Sequence, residues 1–442
     1  MEDYRRDTTP AVRSIAEEGR YFQSCFAHGK YTLTSTASIL TGTYPTWHRL
    51  GYERSRLPEG TKTIPQRFRD VGYATGGFSS NRYVSAETGL DQGFDQFSWI
   101  HPSTLLGTVS PRHLVGYALS IRRHSAGLQR DPYKHATPYL LNHAARDWLS
   151  ETLESSPVFA YLHYNEPHRP YYPPLSYIDA YTDSLAESPR SAGEISMNVH
   201  RNVERLIATG TELDDGELAA IRSMYDAEIR YTDQQVGSLL NDVRSMSDRP
   251  VVVVVTADHG ELFGEYGLMG HKFVLRDELT RVPLAVSGLK LPTDRSSSVV
   301  QHADVLRTIL ATIGADTEGV QGINLETDKR TFAVSQHHRT DLEPYQTYNP
   351  EYEMRPFHEG ECSSIRTDEF RLVREEGGDE RLYALPDEKS DLTADRPETA
   401  AALRNTLQTW MEDHTDDTAT ESDRTYSPAM REQLADLGYI DS

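Results

Sequence analysis

Asp258 and His259 stand side by side, with Gly260 and Glu261 behind them and five valines, Val251 to Val255, just ahead. A hard carboxylate beside an imidazole is a good ligand pair for a divalent cation. The plainer reading is that Asp258 caps the next helix and His259 fills a turn. Two other stretches carry candidate groups. Asn165-Glu-Pro-His168 follows a second apolar run and leads into the proline-bracketed Pro170-Tyr-Tyr-Pro-Pro174. The glycine-rich Gly264-Glu-Tyr-Gly-Leu-Met-Gly-His-Lys272 holds His271 and Lys272. His168 also reads as a residue closing a turn, and Lys272 as a solvated surface charge. A further stretch, Tyr31-Thr-Leu-Thr-Ser-Thr-Ala-Ser-Ile-Leu-Thr-Gly42, is crowded with hydroxyls and turns helical at about Ala37. The free N–H groups at such a helix start suit an anion.

These groups must be aimed by regular elements. Val251 to Val255, bounded by Pro250 and Thr256, reads as a strand buried on both faces, as in parallel sheets covered by helices. In open α/β sheets, ligands bind at the carboxyl ends of such strands. Val158 to Tyr164 reads as a second buried strand, and Arg281 to Val286 as a short third. Thr9-Pro10 opens a short helix that Gly19 closes. Residues 63–72 and 73–78 read as one helix-to-strand step. Tyr139, Leu140, Leu141, Ala144 and Trp148 recur at helical spacing, as do positions from Leu218 to Val243. Residues 182–215 are polar and acidic and read as a surface insertion. Asp304 can cap a helix running to Ile313. From about residue 330 the pattern shifts to short strands (Thr331–Val334, Phe370–Val373, Arg381–Ala384) and a helix from Pro397 to His414. The expectation is an α/β/α sandwich with a mainly parallel central sheet over residues 1–330, and a small α+β subdomain over 331–442. No glycine fingerprint of a dinucleotide-binding or P-loop enzyme is present.

The 442 residues carry a formal charge of −22, from 67 acidic against 45 basic residues. That balance excludes general nucleic-acid affinity and a polybasic membrane anchor. Only seven of the basic residues are lysine, leaving 38 arginines. An acid-rich, lysine-poor chain fits a salt-accumulating halophile, whose cations screen self-repulsion; a GC-rich genome is the alternative source of the arginine bias. The two cysteines, Cys25 and Cys362, form no metal or redox spacing and argue against a disulfide-built secreted protein. No leader-like stretch and no apolar run of membrane-spanning length are visible, so a cytoplasmic chain without a membrane span is expected.

Eight stretches in order carry a resemblance to a known family. They are Arg6-Asp-Thr-Thr-Pro10, Ser38-Ile-Leu-Thr-Gly-Thr-Tyr-Pro45, Gly89-Leu-Asp-Gln-Gly-Phe-Asp95 and His163-Tyr-Asn-Glu-Pro-His-Arg-Pro-Tyr171. Tyr225-Asp-Ala-Glu-Ile-Arg-Tyr-Thr-Asp233, Asp258-His-Gly-Glu261, Arg281-Val-Pro283 and Leu434-Ala-Asp-Leu-Gly-Tyr-Ile440 complete the set. Over nearly its whole length the chain resembles the sulfatase-like branch of the alkaline phosphatase superfamily. The resemblance implies a metal-dependent hydrolase or transferase of sulfate or phosphate esters, acting on an anionic ester of a small molecule, glycan or lipid. Asp258 and His259 would supply half of a divalent-metal site, Ca²⁺ being most typical of the family and Mg²⁺, Mn²⁺ or Zn²⁺ also compatible. His168 and His271 would contact the sulfuryl or phosphoryl oxygens or the leaving group, and Lys272 would steady the nucleophile or the anion.

The chain departs from the sulfatase pattern at the nucleophile. Sulfatases have Cys or Ser there, Pro two residues on and Arg four on; the matching positions are Thr32, Thr34 and Thr36. Threonine cannot become formylglycine, so none is expected. It can attack directly once a metal that it ligates depresses its hydroxyl pKa. This favours a phosphoester over a classical sulfate ester. Family members also begin with an apolar strand ending in two aspartates, the other half of the metal site. This sequence starts about 10 to 20 residues too late to contain it, by typical strand and loop lengths. Asp3 and Asp7 have no strand to aim them at Asp258. A catalytically inactive or truncated homologue that binds an anionic ligand is therefore the alternative to an enzyme.

Overall fold

The computed structural model describes residues 4–52, 54–292, 298–353 and 360–415. The Leu434–Ile440 stretch and Asp3 lie outside them. One sheet holds β1 (Arg20–Phe26), β5 (Val253–Thr256), β8 (Arg281–Ser287) and β9 (Val299–Gln301) in the order β5-β8-β1-β9. In it β1 and β9 are parallel, and β8 runs antiparallel to both β1 and β5. A second, all-parallel sheet has the order β3-β2-β4, from β2 (Ala74–Ser79), β3 (Gln96–Trp99) and β4 (Val158–His163). A short hairpin pairs β6 (Leu262–Phe263) with β7 (Met269–Gly270).

Helix Asp215–Met246 lies across both large sheets. Its Val236 and Leu240 pack with Val253 and Val255 of β5 and with Val12 and Ile15 of helix Pro10–Glu18. Its Leu239, Val243 and Met246 pack with Val158, Ala160 and Leu162 of β4 and with helix Pro138–Thr152. On the opposite face, Ile64 and Phe68 of helix Ile64–Asp70 join Val305, Ile309 and Leu310 of helix His302–Thr312 over Phe22, Val282, Leu284 and Val286. The result is an α/β/α sandwich with a mainly parallel sheet layer. No helix among the described residues is long and apolar enough to cross a membrane.

The valine run departs from expectation. Its regular part is only Val253–Thr256, and Val252 and Val254 remain 41% and 38% exposed. The reason is position: β5 is the terminal strand of its sheet, as β4 is of the other, so the run is covered on one side rather than two. Asp258 and His259 still sit just past its carboxyl end.

Helix Thr32–Thr41 begins five residues before the expected Ala37, and every residue in it is buried. Two of its hydroxyls bond within the helix: Ser38 Oγ donates to the Thr34 carbonyl at 3.2 Å and Thr41 Oγ1 to the Ala37 carbonyl at 2.7 Å. Hydroxyls turned back on their own turn let a polar-looking sequence continue as a buried helix.

Residues 182–215 are no surface insertion. Helices Pro189–Arg201 and Val203–Thr209 send Ala192, Met197, Val199, Val203, Leu206 and Ile207 into the same apolar cluster as Ile221 and Met224. Their acidic and basic residues mask an ordinary amphipathic spacing. Asp304 is the third residue of its helix rather than the cap; Gln301 caps, in a reciprocal arrangement with Asp304.

The C-terminal sheet is antiparallel, β10 (Ala333–His337), β11 (Cys362–Arg366), β12 (Phe370–Glu375) and β13 (Glu380–Ala384) in chain order, backed by helix Pro397–His414. Strand β11 was not expected. This sheet is tied to the sandwich where the Gln336 N–H donates to the His28 carbonyl at 2.8 Å and Gln301 Nε2 donates to the Val334 carbonyl at 2.8 Å.

Candidate active site

Two elements meet at the site. Ser35 Oγ, in the first turn of helix Thr32–Thr41, donates to the Asp258 carbonyl at 2.6 Å and pins that helix to the loop after β5. The pinning sets Thr32 Oγ1 3.3 Å from His259 Nε2. His259 Nδ1 lies 2.8 Å from the Gly260 carbonyl, which only accepts, so Nδ1 carries the proton and Nε2 offers its lone pair to Thr32. Asp258 Oδ1 accepts the His259 N–H at 3.1 Å, while Oδ2 is buried with no hydrogen-bond partner. Burial pushes Asp258 up, but His259 and His163 outweigh it and hold the carboxyl down at about 2.

His271 and His168 close the site from two further loops. Their rings follow His259 in series, His271 tilted against it with centroids 4.4 Å apart and His168 edge-on to His271 at 5.3 Å. His271 Nδ1 donates to Glu261 Oε1 at 3.1 Å, and His168 Nδ1 donates to the Arg169 carbonyl at 2.6 Å. All three rings are thus oriented through Nδ1 by an acceptor. Burial, reinforced by the neighbouring His271, lowers His168 to about 3; burial, with His259 and Arg169, drives His271 well below the usual imidazole range. Both are neutral at neutral pH.

The supporting loops explain this placement. Glu166 accepts from the Thr137 N–H at 2.7 Å and Asn165 accepts from Asn81 Nδ2 at 3.0 Å, anchoring the His168 loop to helix Pro138–Thr152 and to the end of β2. Gly270, at φ +78°, takes up the left-handed turn that leads from β7 into His271, a conformation that favours glycine.

Lys272 belongs to the same neighbourhood but turns aside. Its Nζ is 3.6 Å from Glu204 and 5.5 Å above the Tyr345 ring. Burial lowers it to about 8 against the opposing pull of Glu204. Lys30, which the sequence reading passed over, is 4% exposed and lowered to about 7, first by burial. Arg169 is 6% exposed. Glu261 stood in the Asp-His-Gly-Glu motif, and a carboxylate so near an imidazole ligand candidate was the available signal for its role. Lys30 and Arg169 offered none beyond adjacency to Thr32 and His168.

The donors around Thr32 are of the kinds that ligate a divalent cation. Asp258 Oδ2, buried without a hydrogen bond and 3.6 Å from His259 Nε2, fits one side of such a centre together with that nitrogen, from which the Thr32 hydroxyl is 3.3 Å away. Among the described residues no cluster of three or more His, Cys, Asp or Glu groups is arranged to hold a metal. Two firm ligands are fewer than a tightly bound divalent ion takes.

An α/β/α sandwich whose strand-end Asp–His pair faces a hydroxyl at a helix N-terminus is an alkaline-phosphatase-like architecture. A model of the Sulfatase family matches residues 1–315, and the chain belongs to that family. It is 23% identical over 316 residues to an uncharacterized sulfatase, YidJ, of Escherichia coli (strain K12), an alignment covering 69% of this chain. The chain spans 62% of the length of that relative. Among solved structures, the phosphonate monoester hydrolase of Agrobacterium radiobacter superposes with a TM-score of 0.71 at 19% identity, covering 96% of this chain and 95% of that one. A protein solved in complex with its substrate D-glucosamine-2-N,6-O-disulfate gives 0.67 at 18% identity, covering 96% and 97%.

Proposed function

We propose that this chain hydrolyses sulfate, phosphate or phosphonate esters with Thr32 as the nucleophile. The observation that carries the reading is the contact of Thr32 Oγ1 with His259 Nε2 at the start of a buried helix, on a ring whose Nδ1 is turned to the Gly260 carbonyl. His259 takes the hydroxyl proton as Thr32 Oγ1 bonds to sulfur or phosphorus. The ester oxygen leaves with its bonding pair and receives a proton, and water then cleaves the threonine ester to restore the hydroxyl. The first-turn N–H groups and the buried cations nearby stabilise charge on the non-bridging oxygens. His168 and His271, neutral and oriented through Nδ1, are hydrogen-bonding partners for the oxygens or the leaving group.

A divalent cation on Asp258, His259 and Thr32 belongs to the same reading and would acidify the hydroxyl and polarise the ester when bound. His259 Nε2 can serve the cation or take the proton, not both. The small donor set favours a second reading, a homologue that binds an oxyanion without turning it over.

The two structural neighbours make phosphonate monoesters and sulfated sugars the first substrate classes to try. The test is release of p-nitrophenol from phenylphosphonate, phosphodiester and sulfate esters, in concentrated KCl to suit the acidic surface. Turnover of at least one, reduced about 10³-fold or more by Thr32→Val, is expected. Oxyanion binding with no turnover of any ester would overturn the hydrolase reading in favour of the second.

A further inference from the structure

The chain between His271 and β8 ends in a four-residue helix, Asp277–Thr280, that touches both halves of the site. Carbonyls at the end of a helix have no partner within it and are open to outside donors. Two consecutive ones are taken here. The Leu279 carbonyl accepts the Gly260 N–H at 2.8 Å, and the Thr280 carbonyl accepts the Ala27 N–H at 2.7 Å. Gly260 is the residue whose own carbonyl holds His259 Nδ1. Ala27 follows β1 directly and precedes Thr32 on the same loop. On the Gly260 side the approach is backbone against backbone, since a Cβ there would collide with the Glu278 carbonyl oxygen. The segments bearing the base and the nucleophile are thus joined through adjacent peptide groups of one short, buried helix.

A helix this short has no stability of its own, so its position is set by what grips it. The grip comes from the C-terminal sheet. Arg371 of β12, 1% exposed, donates from Nη1 to the Leu275 carbonyl at 2.5 Å and from Nη2 to Asp277, the first residue of the helix. Its Nε donates to Glu388 Oε1 at 3.0 Å. Arg366 of β11 adds a second ion pair to Asp277, at 3.1 Å. Leu275 packs with Cys362, Val373 and Tyr383 of the same sheet. The rigid fork of a guanidinium can hold a carbonyl and two carboxylates at once in fixed directions, as an ammonium cannot.

We infer that Arg371 is a positioning residue for the catalytic pair: by fixing helix Asp277–Thr280 it sets how far His259 lies from Thr32. This rests on the ester-hydrolase reading for the roles of those two residues, and it gives the C-terminal sheet a part in the reaction without a contact to substrate. A misplacement of about 1 Å at reacting groups can cost about 10²-fold in rate. Thr32 Oγ1 and His259 Nε2 are already 3.3 Å apart, so a shift of the bracket is felt in kcat rather than in substrate binding.

The test compares kcat and KM on the best nitrophenyl ester for the full-length wild type, Arg371→Met, Arg371→Lys and Leu382→Ala, each well below its own Tm. Leu382 is buried with Val334, Ile365 and Leu372, so its truncation loosens the same sheet while leaving Arg371 in place. Arg371→Met is expected to lower kcat about tenfold or more with KM within twofold, and Arg371→Lys to restore part of it. Leu382→Ala should lower Tm yet keep kcat within twofold. In a His259→Gln background, Arg371→Met should cost little further. A kcat for Arg371→Met within twofold of wild type, an equal loss in Leu382→Ala, or a loss that multiplies in full with that of His259→Gln would overturn the inference. Should Arg371→Met fail to fold, Arg371→Lys carries the same comparisons. Hydrogen exchange is followed alongside, and the Gly260 and Ala27 amides should exchange about tenfold faster in Arg371→Met. That faster exchange in a chain whose wild type turns over no ester would sink the hydrolase reading and leave the bracket in place. Turnover that Thr32→Val abolishes and Arg371→Met leaves unchanged would do the reverse.

Discussion

If His259 draws the proton from Thr32, the two residues form one device, and removing either disables both. A double-mutant cycle with Thr32→Val and His259→Gln tests this. The valine keeps the volume of a side chain that is 2% exposed, and deletes only the hydroxyl 3.3 Å from His259 Nε2. The glutamine keeps a polar group but no lone pair placed as Nε2 is. A positioned general base contributes about 10²- to 10⁴-fold. At 1.36 kcal/mol per decade this is about 2.7 to 5.4 kcal/mol of transition-state stabilisation. Thr32→Val should lose at least as much, because the bond-forming atom itself is gone. The double variant should then be no slower than the worse single one, giving a coupling energy about equal to the whole His259 effect. The assay is kcat/KM on the best of the nitrophenyl esters, with Tm recorded because His259→Gln also removes a ring packed 4.4 Å from His271. Losses that simply multiply would show that Thr32 and His259 act independently and would refute the proton-transfer argument.

Two further outcomes follow from the geometry. Titrating Ca²⁺, Mg²⁺, Mn²⁺ and Zn²⁺ into the wild-type chain should raise Tm for at least one ion, by the stabilisation that any native-state ligand confers, and Asp258→Asn should abolish the rise; no shift with any ion would count against Asp258 and His259 as ligands. Away from the site, burial pushes Asp277 up, but the guanidinium groups of Arg371 and Arg366 outweigh it and hold the carboxyl below its usual range. A depressed folded-state pKa adds stability that is present above the unfolded value of about 3.9 and lost as pH falls through the folded one. The Tm difference between wild type and Asp277→Asn should therefore be constant near neutrality and shrink below about pH 4; a difference that grows on acidification would contradict the pairing.

The strand-end chemistry was legible because its signals are local. A valine run followed by Asp258 and His259 locates the end of a strand whatever its neighbours, and the proline-bracketed loop after Leu162 and His163 marks another. What the sequence could not convey were properties fixed by distant partners. The half-exposure of Val252 and Val254 depends on β5 being terminal in its sheet, which no periodicity within five identical residues reports. The early start of helix Thr32–Thr41 goes with distant partners, since Thr32 and Ser35 reach His259 and the Asp258 carbonyl, and the charged residues of 189–209 hid an apolar face. Thr32, His168, Asp258, His259 and His271 converge as a set, while Lys272 is drawn toward Glu204 by a helix that looked like surface. Lys30 was invisible for the same reason: a lone lysine in sequence does not show that the fold leaves it only 4% exposed.

The most direct test of the central claim is chemical capture of Thr32. The wild-type chain would be mixed with a saturating nitrophenyl phosphonate or sulfate ester, quenched in acid during turnover, digested and mapped by mass spectrometry. A phosphonyl or sulfuryl adduct on the peptide containing Thr32, absent from the Thr32→Val variant, is the predicted result. Turnover with no adduct on Thr32, or an adduct on another residue, would contradict it.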